Sequence, residues 1–440
     1  MKVAVLGLWH LGSVTAACTA AAGHTVTGWD PDTATVDRLA AGQPPVAEPG
    51  LADLIAAGMA GARLRFTHDA RDAVSGADVI WITFDTPVDD DDVADVEFVL
   101  RHAETALAHA SDGAVVVSSS QLPVGSVARL EQATETAVHG RRLSFACSPE
   151  NLRLGKAIEV FTSPDRVVLG VRDDHARVRL AELFAPITDR LEWMSVESAE
   201  MTKHAVNAFL ATSVAFINEI AALCERTGAD AKEVERGLKT ERRIGPLAYL
   251  GPGAAFAGGT LARDVVFLRA LGREVDRPTR LMDGVETSNR EHRLWARRAL
   301  QAGLGALRGR TVAVWGLTYK PGTDTLRRST AIELCLWLKE QGVHVRAHDP
   351  AAGPLPAELA ASRCASALDA ARGANALVVA TEWPEYRQVE PAALLDVMAG
   401  TLVLDPNRFL GRTLGEDDRV QLVSVGVARV AAPASRVADS

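Results

Sequence analysis

The amino-acid sequence predicts an α/β fold in which two doubly wound parallel-sheet domains are joined by a long central helix. Short apolar runs rich in β-branched residues alternate with helical patterns in both the N-terminal and the C-terminal parts of the chain, which is typical of βαβ units. Between these parts, apolar residues recur at helical spacing over residues 196–226. The predicted domains are therefore 1–196, 197–300 and 301–428, followed by a tail at 429–440 that we expect to be flexible.

Composition limits the class of protein and its partners. The 440 residues are 48% hydrophobic and 23% charged, as in ordinary globular proteins of more than one domain. The net charge of -9 argues against nucleic acid or an anionic membrane surface as a partner. We expect a cytoplasmic protein, because the sequence has neither a signal-peptide pattern nor an uninterrupted apolar run of about 20 residues. Five cysteines without a CxxC pair indicate reduced thiols, and no metal site is predicted.

The first βαβ unit carries a predicted cofactor site. A strand at residues 2–6 leads into a glycine turn and a helix of small residues, and the second strand ends at Asp30. This order is typical of a Rossmann-like dinucleotide-binding unit, in which the acid binds the adenosine ribose hydroxyls and favours NAD over NADP. Trp9 stands where the GxGxxG fingerprint has its second glycine, so the fingerprint is incomplete. The turn residues predicted to bind NAD are Gly7, Trp9, His10, Leu11 and Gly12.

Three further predicted strands end in loops that contain polar residues. The strands lie at 78–83, 113–118 and 143–146, and the loops after them contain Thr86, Gln121 and Glu150. Because ligands bind beyond the carboxyl ends of parallel strands, we expect these loops to line one crevice. Cys147 is the one thiol predicted near this crevice, and we interpret it as a buried structural cysteine. The βα pattern restarts at 311–315 with a second glycine turn, which predicts the second α/β domain.

Two other stretches carry candidate functional residues. The segment 251–264 contains four glycines and a proline before an apolar run, so we expect a loop close to a ligand and a helix that starts at Val265. A plain tight connection is the alternative interpretation. On the predicted central helix, Lys203 and Asn207 are four residues apart and share one face. A solvated polar stripe is the alternative interpretation there.

An ordered set of motifs runs through nearly the whole chain. Besides the glycine turns, the set comprises Glu48-Pro-Gly-Leu51, Thr86-Pro87, Pro123-Val-Gly125, Ser148-Pro-Glu-Asn-Leu-Arg153, Arg243-Ile-Gly245 and Lys320-Pro-Gly-Thr-Asp324. In this order the motifs resemble those of the UDP-glucose/GDP-mannose dehydrogenase family. The resemblance implies an N-terminal NAD domain, a central helical region that forms a homodimer, and a C-terminal domain that helps to bind a nucleotide sugar. It also implies oxidation of the sugar C6 hydroxyl to a carboxylate with two NAD, through a thioester on a cysteine.

The resemblance further implies which residues form the site. The predicted catalytic residues are Glu150, Lys203, Asn207, Thr260 and Asp264. The two carboxylates can hold a water or accept a proton, the lysine can stabilise an oxyanion, and the asparagine can donate a hydrogen bond to the same oxygen. Further cofactor contacts are predicted at Thr86, Gln121 and Arg327. The predicted substrate contacts are Asn151, Leu152, Arg153, Arg243, Tyr249, Gly253 and Lys320.

Several positions depart from the family pattern. Thr260 stands where the family has its catalytic cysteine, and Gln121 stands where a threonine orders the hydrolytic water. We therefore expect the binding apparatus to be kept and the covalent step to be altered. Three hypotheses remain at this point. They are an NAD-dependent nucleotide-sugar dehydrogenase, an epimerase or isomerase that returns the hydride to the sugar, and a nucleotide-sugar-binding protein without turnover.

Overall fold

The structure is a computed structural model, and it describes residues 1–87, 89, 94–135, 140–150, 152–257, 260–326, 328–415 and 417–428. Two predicted site residues, Asn151 and Arg327, and the predicted tail at 429–440 lie outside the described residues. The chain divides into two compact units, Met1–Val206 and Asn207–Ser440. Each unit is built around its own sheet.

The first unit contains a large, mostly parallel sheet. Its strands are β1 (Lys2–Leu6), β2 (Thr25–Trp29), β3 (Leu64–Thr67), β4 (Val79–Ile82), β5 (Val115–Ser118), β6 (Ser144–Cys147), β7 (Val167–Val171) and β8 (Leu191–Met194). Among the described residues these eight strands lie in the order β3-β2-β1-β4-β5-β6-β7-β8. All neighbours are parallel except β6 and β7, which are antiparallel.

The doubly wound parallel sheet predicted for this unit is confirmed, with one reversed strand at β7. The connection from β6 to β7 contains the six-residue helix α7 (Ala157–Thr162). After this helix the chain re-enters the sheet beside β6 in the opposite direction.

Helices cover both faces of this sheet, as expected for a doubly wound fold. The others are α1 (His10–Ala21), α2 (Thr33–Ala40), α3 (Leu51–Ala60), α4 (Ala70–Val74), α5 (Val96–Leu107), α6 (Ser126–Thr134) and α8 (Asp174–Phe184). Alternate residues of β1 enter different apolar clusters, with Val3 and Val5 in one and Ala4 and Leu6 in the other. Alternation of this kind buries both faces of a strand.

The long central helix is α9 (Val196–Thr227), which confirms the helix predicted at 196–226. It crosses the division between the two units. By length and composition, α9 is the one helix among the described residues that could cross a membrane. Half of its most apolar window is buried inside the protein, and buried core helices also have this composition.

The second unit begins with helices and ends with a smaller sheet. The helices are α10 (Ala231–Thr240), α11 (Thr260–Glu274), α12 (Arg280–His292), α13 (Trp295–Leu304), α14 (Thr330–Glu340), α15 (Ala367–Ala371), α16 (Pro391–Val397) and α17 (Gly411–Leu414), with 3-10 helices at Ala357–Ser362 and Pro384–Gln388. The strands are β9 (Thr311–Trp315), β10 (His344–His348), β11 (Ala376–Val379), β12 (Leu402–Leu404) and β13 (Gln421–Val423). Among the described residues they form a parallel sheet in the order β10-β9-β11-β12-β13, which confirms the predicted second α/β domain.

The start of α11 differs from the prediction. The helix was expected at Val265, with the whole of 251–264 as a loop, but α11 begins at Thr260. Leucine, alanine and arginine follow the threonine, and these residues favour a helix intrinsically. Thr260 and Asp264 consequently lie on one face of α11, one turn apart.

Candidate active site

The glycine turn after β1 requires glycine at two positions. Gly7 has φ +91°, and a Cβ added there would lie 2.6 Å from the backbone of Phe84. A Cβ on Gly12 would lie 1.6 Å from the carbonyl oxygen of Gly7. The turn therefore packs tightly against both the end of β4 and the first turn of α1, as a dinucleotide-binding turn must.

Trp9 explains how the turn forms without its middle glycine. This residue precedes the first residue of α1 and has φ -70°, which any L-residue adopts. The backbone therefore has no need of a glycine here, and the indole is 45% exposed. The first-turn N–H groups that follow, at His10 and Leu11, begin a helix, and a helix N-terminus attracts phosphate groups. The turn thus fits the pyrophosphate of NAD.

Asp30 lies directly after β2 and contacts the same turn. Its Oδ2 accepts the N–H of Leu8 at 2.7 Å, and its Oδ1 accepts the N–H of Asp32 at 2.9 Å. Burial raises the pKa of Asp30, while these two hydrogen bonds act in the opposite direction. A carboxylate has about four acceptor positions, so the half-buried Asp30 keeps acceptor capacity for ribose hydroxyls. These residues fit NAD, which would supply a hydride acceptor when bound.

The second unit contains a comparable acid that is used differently. Asp349 follows β10 and is buried, with 6% of its surface exposed. Among the described residues it accepts six hydrogen bonds, donated by Leu317, Thr318, Ala351, Ala352 and Trp383. Its acceptor positions are therefore taken by the protein itself. The sheet of the first unit is the one that fits a dinucleotide.

Beyond the carboxyl ends of β5 and β6, the structure brings four predicted residues together. Lys203 of α9 donates a hydrogen bond to the main-chain oxygen of Glu150 at 2.5 Å, and its Nζ lies 3.5 Å from Oε2 of the same residue. A cavity of about 20 Å³ beside this pair is also lined by Gln121 and Cys147. The hydroxyl of Thr86 donates to the main-chain oxygen of Gln121 at 2.9 Å. Lys203 and Glu150 thus place an ammonium group beside a carboxylate at the carboxyl edge of this sheet.

Cys147 is buried at the end of β6. Burial, and to a lesser degree the negative charge of Glu200, raise the pKa of the Cys147 thiol far above its ordinary value. Because a thiolate is the nucleophilic form, this cysteine remains an unreactive thiol at neutral pH. The interpretation of Cys147 as a buried cysteine is confirmed.

A second pair of predicted residues meets within the second unit. The side-chain amide of Asn207 on α9 donates a hydrogen bond to Oδ2 of Asp264 on α11. Asp264 is fully buried, and Thr260 is an exposed residue one turn earlier on the same helix. The carboxylate fixes the orientation of the Asn207 amide. Lys203 and Asn207 lie one turn apart on the continuous helix α9, as predicted from their spacing.

The glycine loop is held by four side chains that sequence reasoning missed. Asn218 accepts the N–H of Gly253 at 3.0 Å, and His292 lies 2.7 Å from the carbonyl oxygen of that glycine. The remaining contacts join Ala254 to Asn407 at 2.7 Å and Phe256 to Asn289 at 3.0 Å and 2.8 Å. We call Asn218, Asn289, His292 and Asn407 the loop clamp.

Burial is the main reason that the pKa of His292 lies below its ordinary value. The histidine is therefore neutral, and it donates its Nε2–H to the Gly253 carbonyl. The clamp residues lie on α9, on α12 and in the turn after β12, and isolated asparagines and histidines so far apart in the chain give no sequence signal for such a contact. The clamp is visible only when the helices and the loop are brought together.

The other predicted substrate residues have varied surroundings. The side chain of Arg243 is 88% exposed and donates to Glu241 at 2.9 Å. Tyr249 and Arg153 are exposed, whereas Leu152 and Lys320 are half-buried. The roles of Arg243, Tyr249 and Lys320 in substrate binding stay predictions.

The glycine turn and the remaining acceptor capacity of Asp30 on a doubly wound sheet define the first unit as a dinucleotide-binding domain. Sequence models of the UDP-glucose/GDP-mannose dehydrogenase family match the chain in three parts: the NAD binding domain at residues 1–188, the central domain at 197–291 and the UDP binding domain at 313–412. The chain is 36% identical over 421 residues to UDP-glucose 6-dehydrogenase of Pseudomonas aeruginosa, covering 92% of this chain and 93% of that protein.

Other relatives extend this similarity. The chain is 32% identical over 439 residues to UDP-glucose 6-dehydrogenase TuaD of Bacillus subtilis, with 99% and 94% of the two chains covered. A solved structure of a UDP-glucose dehydrogenase from Pyrobaculum islandicum has a TM-score of 0.86 and 30% identity, over 98% of each chain. The chain belongs to the UDP-glucose/GDP-mannose dehydrogenase family. It is an NAD-dependent oxidoreductase that acts on a nucleotide sugar, which confirms the predicted fold class, cofactor and enzyme class.

Proposed function

We propose that this protein oxidises a hydroxyl group of a UDP-sugar and that it does so without a thioester intermediate. The curated relatives are UDP-glucose 6-dehydrogenases, which makes UDP-glucose the first substrate to test. The single observation that carries the proposal is Thr260, which stands at the position where the family resemblance puts the catalytic cysteine. A threonine hydroxyl is a far weaker nucleophile than a thiolate near neutral pH.

The proposed roles of the chain's own residues follow from their chemistry. The ammonium group of Lys203 stabilises the negative charge that develops on the reacting oxygen as its proton leaves. Asn207 donates a hydrogen bond to the same oxygen, with its amide oriented by Asp264. NAD held by the glycine turn and Asp30 would supply the hydride acceptor. Thr260 hydrogen-bonds the reacting hydroxyl without attacking the carbon.

This arrangement leaves two possible products. A first oxidation gives an aldehyde and one NADH. Water can then add to the aldehyde to form a geminal diol, whose C–H supplies a second hydride and whose O–H supplies a proton, giving a carboxylic acid. We propose that the carboxylate of Glu150 holds that water. Cys147 does not substitute for the missing cysteine, since burial keeps it protonated.

Further parts of the proposal concern assembly, phosphate binding and location. Phe209, Phe216 and Leu223 are spaced seven residues apart on α9 and are 71%, 47% and 62% exposed. An apolar line at this spacing favours packing against a second helix, which supports a homodimer through α9 in a cytoplasmic protein. Arg243 and Lys320 are proposed to contact the phosphates of the nucleotide sugar.

The test is the number of NADH formed for each nucleotide sugar consumed, with the products identified by mass. UDP-glucose is tested beside GDP- and dTDP-sugars. One NADH with an aldehyde supports a single oxidation, and two NADH with a carboxylate supports the geminal-diol route if no acyl-enzyme is trapped. A covalent thioester found by mass spectrometry refutes the proposal. A rearranged sugar without net NADH identifies an isomerase instead, and failure to bind NAD identifies a protein without this turnover.

A further inference from the structure

Glu48 is a buried carboxylate that lies outside the catalytic residues discussed above. Its side chain is only 1% exposed. Within the described residues it accepts hydrogen bonds from the main-chain N–H groups of Gly155 at 2.7 Å and Ala157 at 2.9 Å, and it contacts His10 Nε2 at 3.0 Å. Burial raises the pKa of Glu48, but the His10 and main-chain hydrogen bonds outweigh burial and hold it below the ordinary value.

The charge of Glu48 fixes the direction of the contact with His10. An ionised carboxylate can only accept hydrogen bonds, so Nε2 of His10 carries the hydrogen and donates it. A hydrogen bond to a charged, buried group is stronger than an ordinary one. The three donors therefore hold Glu48 in one position.

These donors come from two segments with different predicted ligands. His10 lies in the glycine turn and is the first residue of α1, where the pyrophosphate of NAD is expected. Glu150 and the predicted substrate contacts up to Arg153 form what we call the substrate segment. Gly155 and Ala157 lie two and four residues beyond its end. One carboxylate thus bonds to the cofactor turn and to the chain that leads out of the substrate segment.

Apolar packing holds the same region together independently of this link. Val14 and Cys18 of α1 belong to the same apolar cluster as Ala157, against which Ile158 and Phe161 pack. Burial of such side chains supplies most of the stability of a packed helix. Loss of the His10 hydrogen bond should therefore leave the fold in place and change how the two segments are aligned.

We propose that His10 is a positioning residue, which through Glu48 couples the binding of NAD to the binding of the nucleotide sugar. The inference rests on the proposed function, because it assigns these ligands to the two segments. Each ligand orders its own segment and thereby the shared carboxylate, so that the second ligand meets a site that is already aligned. By linkage, each ligand must tighten the binding of the other by the same factor.

The coupling factor is measured by calorimetry on the full chain. NADH and UDP-glucose are used together because this pair cannot react. We expect UDP-glucose to tighten NADH binding by roughly fivefold or more, the lower end of common coupling factors, and NADH to tighten UDP-glucose binding equally. In His10→Phe, which keeps a ring and removes the donor, the factor should fall to about one. His10→Gln, whose amide can donate to Glu48, should retain most of it.

His68→Phe is the matched control. The exposed side chain of this histidine contacts Asp37 at 2.9 Å in the same unit and is not among the described donors to Glu48, so its loss should leave the coupling factor unchanged. His10→Ala serves as a second variant without a donor if His10→Phe does not fold. A factor of one in the wild type with both ligands bound overturns the inference, as does full coupling in the donor-free variants. Failure of the wild type to bind UDP-glucose or any other UDP-sugar overturns the proposed function, and the inference with it.

Discussion

Gly253→Ala tests whether the glycine loop must be held in the observed conformation. A Cβ added to Gly253 would lie 2.0 Å from Oδ1 of Asn407 and 3.1 Å from its Cγ. Ordinary contacts begin at 3.4 Å, so the Asn407 amide must move by more than 1 Å. That movement breaks its hydrogen bond to the N–H of Ala254, which is 2.7 Å long.

The expected cost combines two effects. A lost hydrogen bond costs about 0.5–1.5 kcal/mol, and overpacking at a tight contact costs about 1–3 kcal/mol. Because Asn407 is a side chain that can rotate, we expect a total of about 1–3 kcal/mol, expressed in the position of the loop. If the loop contacts the nucleotide sugar, the Kd for UDP-glucose should rise by roughly five- to 150-fold. Isothermal titration calorimetry measures this, with thermal unfolding recorded in parallel.

Gly251→Ala is the matched control in the same loop. A Cβ there would meet its nearest neighbours, Glu235 and Lys232, only at 3.9 Å and 4.0 Å. This variant should bind UDP-glucose as the wild type does. Equal Kd values for Gly253→Ala and Gly251→Ala would refute the reasoning.

A double-mutant cycle identifies the clash itself. Asn407→Ala removes the atoms that the new Cβ would meet. Gly253→Ala should therefore cost less in the Asn407→Ala background than in the wild type, with an interaction energy above about 0.5 kcal/mol. Strict additivity would show that Asn407 is not the obstacle.

Three further predictions concern single side chains. Lys203→Ala should lower kcat by roughly 100-fold or more because it removes stabilisation of the developing oxyanion. Thr260→Ala should leave a measurable fraction of activity. Equal and total loss of activity in both variants would make Thr260 a direct participant in the reaction. Cys147→Ala should keep most of the activity, and iodoacetamide should not inactivate the wild type, since burial keeps the Cys147 thiol pKa high; rapid inactivation that Cys147→Ala abolishes would contradict this. The pKa of His292 in the folded protein lies below 6.5, so the unfolded state binds more protons below pH 6.5. The free energy of unfolding of the wild type should therefore fall as the pH drops through that range. In His292→Gln this free energy, measured by denaturant unfolding at several pH values, should depend less on pH.

Much of the fold could be predicted because it depends on local patterns. The helical period alone located α9 to within one residue at its carboxyl end. The strand, turn and acid order of the first unit located Asp30, because that order follows from the geometry of a βαβ unit. The reversal of β7 could not be predicted in the same way. Apolar runs locate strands along the chain but do not define their direction within the sheet.

The site could be predicted only in part. The shared face of Lys203 and Asn207 on α9 could be predicted because four-residue spacing on a helix is a property of the sequence. The loop clamp was missed because Asn218, Asn289 and Asn407 are isolated polar residues far apart in the chain. At Trp9 the sequence suggested a damaged turn, whereas the backbone has a φ that does not require glycine. Such conformations depend on tertiary packing rather than on residue type.

The saturated carboxylate of Asp349 has a consequence for the order of events in turnover. Six hydrogen bonds from the protein occupy the Asp349 carboxylate, so this acid is not available to the ribose of a dinucleotide. Of these two acids, each chain therefore offers Asp30. Two successive oxidations of one sugar then require an exchange of spent cofactor for fresh while the half-oxidised sugar waits. A covalent bond to cysteine would retain the aldehyde through that exchange, whereas in the proposed function Thr260 offers only a hydrogen bond. The relative residence times of aldehyde and cofactor therefore decide whether the enzyme releases an aldehyde or an acid.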